Sequence, residues 1–278
     1  GVARKLFDHE PNVVARFEFM SILDSYITTA PSAQSAVDLF AGEWSSSFPQ
    51  GSGVVSTPGT APLFEDPRVT WANTMFGGFA GKTVLELGPL ELGHTYMLQQ
   101  YGAASIDSVE ANSRAFMKCL IAKEILKVDR ANLMLGNFVE YLGTTQKQYD
   151  WVVASGVLYH MQQPLRVLKL IAEHSSRLFL WTHYYDKSVI QASEELRAKF
   201  DEPRIVDRDG GKYEIVKYNY LAALQWQGFC GGPAADATWV TKESMIRFLG
   251  AQGFTKIEIA EDDPNHPNGP AILLCAQK

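Results

Sequence analysis

From Gly81 to the end of the chain, short apolar runs alternate with segments of helical period, and this alternation constrains the fold more than any other feature. Thr83–Leu87, Ser105–Glu110, 132–135, Trp151–Ser155 and 178–182 each have the length and apolar content of one buried strand. Residues 93–101, a segment capped by Asn112 and running through Leu126, and 165–174 carry helical spacing between them. Strands that alternate with helices pack as right-handed βαβ units, so a mostly parallel sheet is expected. Thr241 is expected to cap a helix reaching Ala251, and two strands follow, 256–260 and 271–276. The link between those strands, 264–270, is rich in Pro, Asn and Gly. So compact a link suits antiparallel neighbours, and the final strand should run against the rest. In the Asn112 helix, Phe116, Leu120 and Ile121 share one face, with Arg114, Lys118 and Lys127 pointing elsewhere.

Two regions stand outside this rhythm. Residues 1–80 read as a helical extension: 13–27 and 35–40 have helical spacing, 48–67 is loop, and Asp66 with Pro67 opens a helix to Phe76. Residues 186–238 form an insert on the core 81–278. The insert carries a helical stretch at 190–200 and a hairpin centred on Asp209-Gly210-Gly211. Aromatic residues around its glycines follow, including Tyr218, Tyr220, Trp226 and Phe229, with Trp239 just beyond.

Composition excludes several classes. Twenty-five Lys and Arg against 31 Asp and Glu leave a net charge of −6, which disfavours a broad grip on nucleic acid or an anionic membrane. No apolar run approaches the roughly 18 residues of a membrane span, and the opening residues carry no signal-peptide pattern. A cytoplasmic location is the expectation. The cysteines, Cys119, Cys230 and Cys275, are too far apart for a disulfide framework or a zinc pattern, and the six histidines show no metal-ligand spacing. No metal is expected, and oligomeric state is not legible.

The sharpest segment is Thr83-Val84-Leu85-Glu86-Leu87-Gly88-Pro89-Leu90-Glu91-Leu92-Gly93, a strand running into a glycine turn and a helix. Gly88 lets backbone approach a ligand, and the helix start offers free N–H groups. Glu110 ends the next strand, where a carboxylate can take two hydroxyls of an adenosine ribose. Glu86 and Glu91 flank the turn, which favours a ligand with a positive centre over a pyrophosphate. No phosphate-binding Gly-x-x-x-x-Gly-Lys-Ser/Thr is present.

In order, Val84–Gly93, Ser108–Asn112, Gly136–Phe138 and Tyr149–His160 resemble the motifs of class I S-adenosylmethionine-dependent methyltransferases. The resemblance covers about 81–186 and resumes at 239–278. It implies a Rossmann-like seven-stranded sheet, mostly parallel with a final antiparallel strand, and S-adenosyl-L-methionine as cofactor. By that resemblance Glu86, Leu87, Gly88, Gly93 and His94 line the methionine end, and Glu110 with Ala111 holds the ribose. Asn137 and Phe138 border the adenine, and the backbone of Ala154, Ser155 and Gly156 lies near the methionine amine. Leu90 and Leu92 stand where that family has glycines, and Asn137 where it commonly has Asp. The stretch Ser155-Gly156-Val157-Leu158-Tyr159-His160 also resembles both small-molecule methyltransferases and tRNA wobble-uridine-modifying transferases.

The chemistry expected is methyl transfer to an O, N or C atom of a small molecule, with His160, His183 and Tyr159 as candidate catalytic residues. His160 has three readings: general base, acceptor contact, or local hydrogen bond. Tyr184 and Tyr185 either stack on an acceptor or pack under the insert; Trp44 and Trp71 either fold over the cofactor or belong to the core. His94 and Thr95 either meet the cofactor's carboxylate or cap a helix. Alternatives are a tRNA-modifying transferase, a cofactor-binding protein without turnover, and an NAD-dependent oxidoreductase, which the last strand and the acidic turn disfavour.

Overall fold

The computed structural model describes residues 22–226 and 228–278. Of the helix expected over 13–27, residues 13–21 lie outside them, and the described part, 22–27, holds one 3-10 turn, Ile22–Ser25, rather than an α-helix. Four short pieces precede the sheet: α1 (Ala33–Asp38), β1 (Trp44–Ser46), β2 (Pro58–Ala61) and α2 (Pro67–Ala72). β1 and β2 pair in parallel, so part of the stretch expected as loop is strand. Asp66 does cap α2, accepting from the Arg68 amide at 2.9 Å, but the helix stops at Ala72 rather than Phe76.

The alternating region holds β3 (Thr83–Leu87), α3 (Gly93–Gln100), β4 (Ser105–Glu110), α4 (Ser113–Leu126), β5 (Ala131–Leu135), α5 (Phe138–Thr144), β6 (Trp151–Ser155), α6 (Pro164–His174) and β7 (Arg177–His183). The insert contributes α7 (Lys187–Ala192), α8 (Glu194–Arg197), β8 (Arg204–Arg208), β9 (Gly211–Asn219) and β10 (Asp236–Val240). The chain closes with α9 (Lys242–Ala251), β11 (Lys256–Asp263) and β12 (Ala271–Gln277).

The main sheet has seven strands in the order β11-β12-β7-β6-β3-β4-β5. β12 is antiparallel to both neighbours and the other pairs are parallel, as expected. Val84, Leu85, Val152, Val153, Leu180 and Leu274 are fully buried because helices cover both faces. From β3 the chain builds outward through β4 and β5, then crosses back to β6 on the other side. That reversal opens a crevice at the carboxyl ends of β3 and β6, where open α/β sheets bind ligands. Among the described residues, no helix is long and apolar enough to cross a membrane.

Three further elements differ from the expectation. α5 was hidden because it is short; Asn137 caps it through the Val139 amide at 2.8 Å, and Phe138 and Leu142 turn inward. The helix expected over 190–200 is split at Ser193, whose hydroxyl caps α8. β10 emerges from the glycine-rich aromatic segment because the hairpin of β8 and β9 supplies an edge for it to pair with.

α4 is also rotated from the expected face. Ala115, Lys118, Cys119 and Ala122 face the core, while Leu120 is exposed. Lys118 goes inside because Glu91, itself fully buried, pairs with its ammonium, and the Glu43 carbonyl takes a second proton at 2.9 Å. Ile121 and Ile125 are covered instead by Val37, Phe40, Trp44 and Val54 of the N-terminal region.

Candidate functional site

The turn after β3 keeps the shape of a glycine loop without two of its glycines. Gly88, Leu90 and Leu92 all have left-handed backbone, with φ of 66°, 55° and 75°. For a leucine this costs roughly 1–2 kcal/mol. Burying the Leu92 side chain completely returns about 1.5–3 kcal/mol, so the loop holds. Gly93 is required for another reason: a Cβ there would sit 2.5 Å from the Leu63 carbonyl oxygen, where the N-terminal region crosses α3.

The two acidic residues of this turn are each engaged by other protein groups. Glu91 is fully buried against the N-terminal region, accepting from the Ser45 and Ser46 amides at 3.0 and 2.7 Å and pairing with Lys118. Glu86 is buried behind the loop, where the Thr95 hydroxyl donates to it and Ser108 Oγ lies 3.4 Å away. Burial raises its carboxyl above the usual range, against the lowering pull of His94 and the two hydroxyls. Leu87 is core. Neither Glu86 nor Leu87 lines the cavity described next, because the loop folds between them and it.

A cavity of about 930 Å³ opens over the carboxyl edge of the sheet. That is the upper end of the usual range for ligand pockets, roughly 300–1,000 Å³. It brings together Gly88, Gly93, His94, Glu110, Ala111, Asn137, Phe138, Ser155, Gly156, Tyr159 and His160 from the residues singled out in the sequence. Glu110 is pinned at the end of β4: Oε2 accepts from the Leu90 amide at 3.0 Å and Oε1 from the Asn112 amide at 2.8 Å. Burial raises its carboxyl, while the amides of Asn112, Leu90 and Ala111 oppose the shift. Asn137 spends one lone pair of Oδ1 on capping α5.

His94 Nε2 lies 2.8 Å from Asp66 Oδ2, and Arg68 grips the same carboxylate through Nε and Nη2. Burial would raise the Asp66 carboxyl, but His94 and Arg68 outweigh it and hold the group well below the usual range. The Arg68 guanidinium stacks 4.7 Å over Trp181, and its Nη1 makes no hydrogen bond among the described residues. Arg68 was not anticipated: its triplet Asp66-Pro67-Arg68 carries only a helix-start signal, and nothing local says that the arginine reaches the cavity. Leu63, Leu135 and the insert residues Phe229, Cys230 and Pro233 line it too; the insert was expected on the acceptor side, but none of these five was singled out as a site residue.

At the acceptor end, His160 Nδ1 lies 2.7 Å from Tyr220 Oη. Burial, with His183 nearby, lowers its imidazole to about 4. Tyr159 rests against His160, Trp181, His183 and Trp239, and burial raises its phenol. His183 does not reach this cavity. It is stacked on Trp239 at 5.1 Å, and its Nδ1 meets the Gly269 and Pro270 carbonyls at 2.9 and 3.2 Å. Tyr184 and Tyr185 are buried, and Trp44 and Trp71 pack in apolar clusters away from the cavity. Among the described residues, no three His, Cys, Asp or Glu side chains converge as a metal cluster would.

No family model matches the chain, and no curated protein does. Solved structures do. The N-terminal domain of EvdMO1, in the presence of SAH and D-fucose, matches with a TM-score of 0.65 and 22% identity over 88% of this chain and 94% of that one. Full EvdMO1 matches at a TM-score of 0.58 and 20% identity over 88% of this chain, which spans 46% of its length. The magnesium protoporphyrin IX methyltransferase of Synechocystis PCC 6803, with SAH bound, gives a TM-score of 0.51 and 14% identity over 77% of this chain and 81% of that one. The chain therefore has the Rossmann-like fold of class I S-adenosylmethionine-dependent methyltransferases.

Proposed function

We propose that this protein transfers a methyl group from S-adenosylmethionine to a small-molecule acceptor. The observation that carries this reading is Glu110, pinned by backbone amides in the wall of a large cavity at the strand-order reversal of a methyltransferase-type sheet. The residues around it suit the cofactor. Lone pairs of Glu110 not used by the amides can take a ribose diol, and Leu135, Phe138 and Val157 offer apolar surface to a purine. Gly88 and Gly156 keep the backbone bare on the methionine side, and the free edge of Arg68 suits a carboxylate.

When bound, the cofactor supplies an electrophilic methyl on a sulfonium. The protein's own task is to hold an acceptor in line with that methyl, a contribution worth up to roughly 7–11 kcal/mol. Tyr159, Trp181 and Phe229 provide flat apolar surface for the acceptor, and His160 meets it uncharged. The Asn137 Oδ1 can still accept a second proton from an adenine amino group.

The test is calorimetric titration of the folded protein with S-adenosylmethionine, S-adenosylhomocysteine and NAD in parallel. Binding of the two adenosyl sulfur compounds without NAD is expected. Binding of neither would refute the proposal.

A further inference from the structure

We propose that Tyr220, carried by the insert, is a positioning residue that holds His160 in its Nδ1–H tautomer. Nε2 is then left as a proton acceptor facing the cavity, ready for a nucleophile that arrives with its proton on, such as an alcohol or phenol. The inference rests on the methyl-transfer reading and deepens it. Tyr220 Oη lies 2.7 Å from His160 Nδ1 and 3.1 Å from the Gly231 carbonyl oxygen. The hydroxyl has one proton and two neighbours. A carbonyl only accepts, so the phenolic proton goes to Gly231, and the phenol oxygen takes its proton from Nδ1–H. The reverse assignment leaves two oxygens facing each other without a proton between them. Nε2 itself has no hydrogen-bond partner among the described residues.

Nε2 is open as well as unpartnered. The described side-chain polar atoms that are both sealed and unpartnered are Ser46 Oγ, Arg177 Nε and Trp239 Nε1, and His160 lines the cavity. The relay is built tightly. Tyr220 is buried, the Phe229 ring meets it edge-on at 4.8 Å, and a Cβ on Gly231 would come within 2.8 Å of its ring. Only a glycine lets that carbonyl reach the phenol.

The proton balance is simple. As the acceptor oxygen forms its bond to the methyl carbon, the carbon–sulfur bond breaks with its electron pair going to sulfur. The oxygen's proton passes to Nε2 and is later lost to solvent. Burial and His183 keep the imidazole a weak base, lowered to about 4, with Tyr159, His183 and Tyr220 as the titratable groups against it. A weak base suffices, because an oxygen carrying a third bond is far more acidic than an imidazolium.

The experiment is nitrogen-15 NMR of the histidine ring nitrogens in the full chain, with and without S-adenosylhomocysteine. His160 is expected to show a protonated Nδ1 and a bare Nε2. Tyr220→Phe keeps the ring and removes the hydroxyl, so the pure tautomer signature should be lost while S-adenosylhomocysteine affinity stays within about twofold. A wild-type His160 protonated at Nε2 would overturn the proposal, as would a Tyr220→Phe variant that keeps Nδ1–H unmixed. If that variant does not fold, the wild-type tautomer decides alone. Failure of S-adenosylhomocysteine to bind counts against the methyl-transfer reading and leaves the tautomer separately readable.

Discussion

Lys118 and Glu91 are the pair on which the N-terminal region is seated. Both are buried, and Glu91 also receives two amides of β1. A charge buried without its partner is the costly case, worth about 3–5 kcal/mol. Lys118→Met should therefore lower stability by about 3 kcal/mol, the Glu91 amides offsetting part of the loss; denaturant midpoints measure it. A change below about 1 kcal/mol would mean that the pair is not a structural anchor. Glu110 is the residue to test for binding. Glu110→Gln retains an acceptor for one backbone amide but loses the charge that would hold two hydroxyls. Hydrogen bonds to charged groups contribute about 1.5–3 kcal/mol, so S-adenosylhomocysteine affinity should fall about ten- to a hundredfold by calorimetry. An unchanged affinity would remove Glu110 from the ribose.

At the scale of elements, the loop from Gly88 to Gly93 is held by neighbours rather than by its own sequence. Leu90 donates its amide to Glu110, Leu92 fills the core, and Gly93 lies under the Leu63 carbonyl. Gly93→Ala drives a methyl group against the Leu63 backbone, a cost of about 1–3 kcal/mol. The loop is also the cavity wall, so thermal denaturation and S-adenosylhomocysteine titration should show loss of stability and affinity together; loss of stability alone would separate the loop from the ligand. This coupling is why the motif was only half legible. The strand and helix around it follow from apolar periodicity. Which carboxylate faces the ligand depends on Lys118 and Thr95, which reach Glu91 and Glu86 from other elements.

For the whole molecule, two imidazoles are held uncharged between the sheet and the insert, His183 buried and His160 half-buried in the cavity wall. His160 and His183 are both lowered to about 4 from 6.5, burial being the largest cause for each. Between those values the unfolded chain binds the protons and the folded chain does not, so unfolding takes them up. Stability should be full above about pH 6.5 and fall as pH drops towards 4. The slope should approach about 1.4 kcal/mol per pH unit for each histidine. Denaturant unfolding from pH 7.5 to 4.5 measures this, and the His183→Phe variant should flatten the slope. A stability that does not change with pH in that window would show that neither imidazole is held neutral.

The amino-acid sequence alone determined the sheet, because alternating apolar runs and helical periods are local patterns that water reads the same way wherever the chain goes. Six of its seven strands and their βαβ rhythm lie where the pattern put them within a residue or so, and β11 runs three residues longer, to Asp263. The sequence also pointed to Gly88, Glu110, Asn137 and His160, which end at one crevice because parallel strands deliver their carboxyl ends to the same edge. Only the tertiary structure decided which neighbours became the wall. Glu86 and His183 look like site residues by position, yet they are turned inward, while Arg68 reaches the crevice, and Tyr220 reaches His160 behind its wall, from outside the repeating core. A side chain's direction at a strand end is set by what packs over it, and the parts that pack here lie far away in the chain, where no local pattern can announce them.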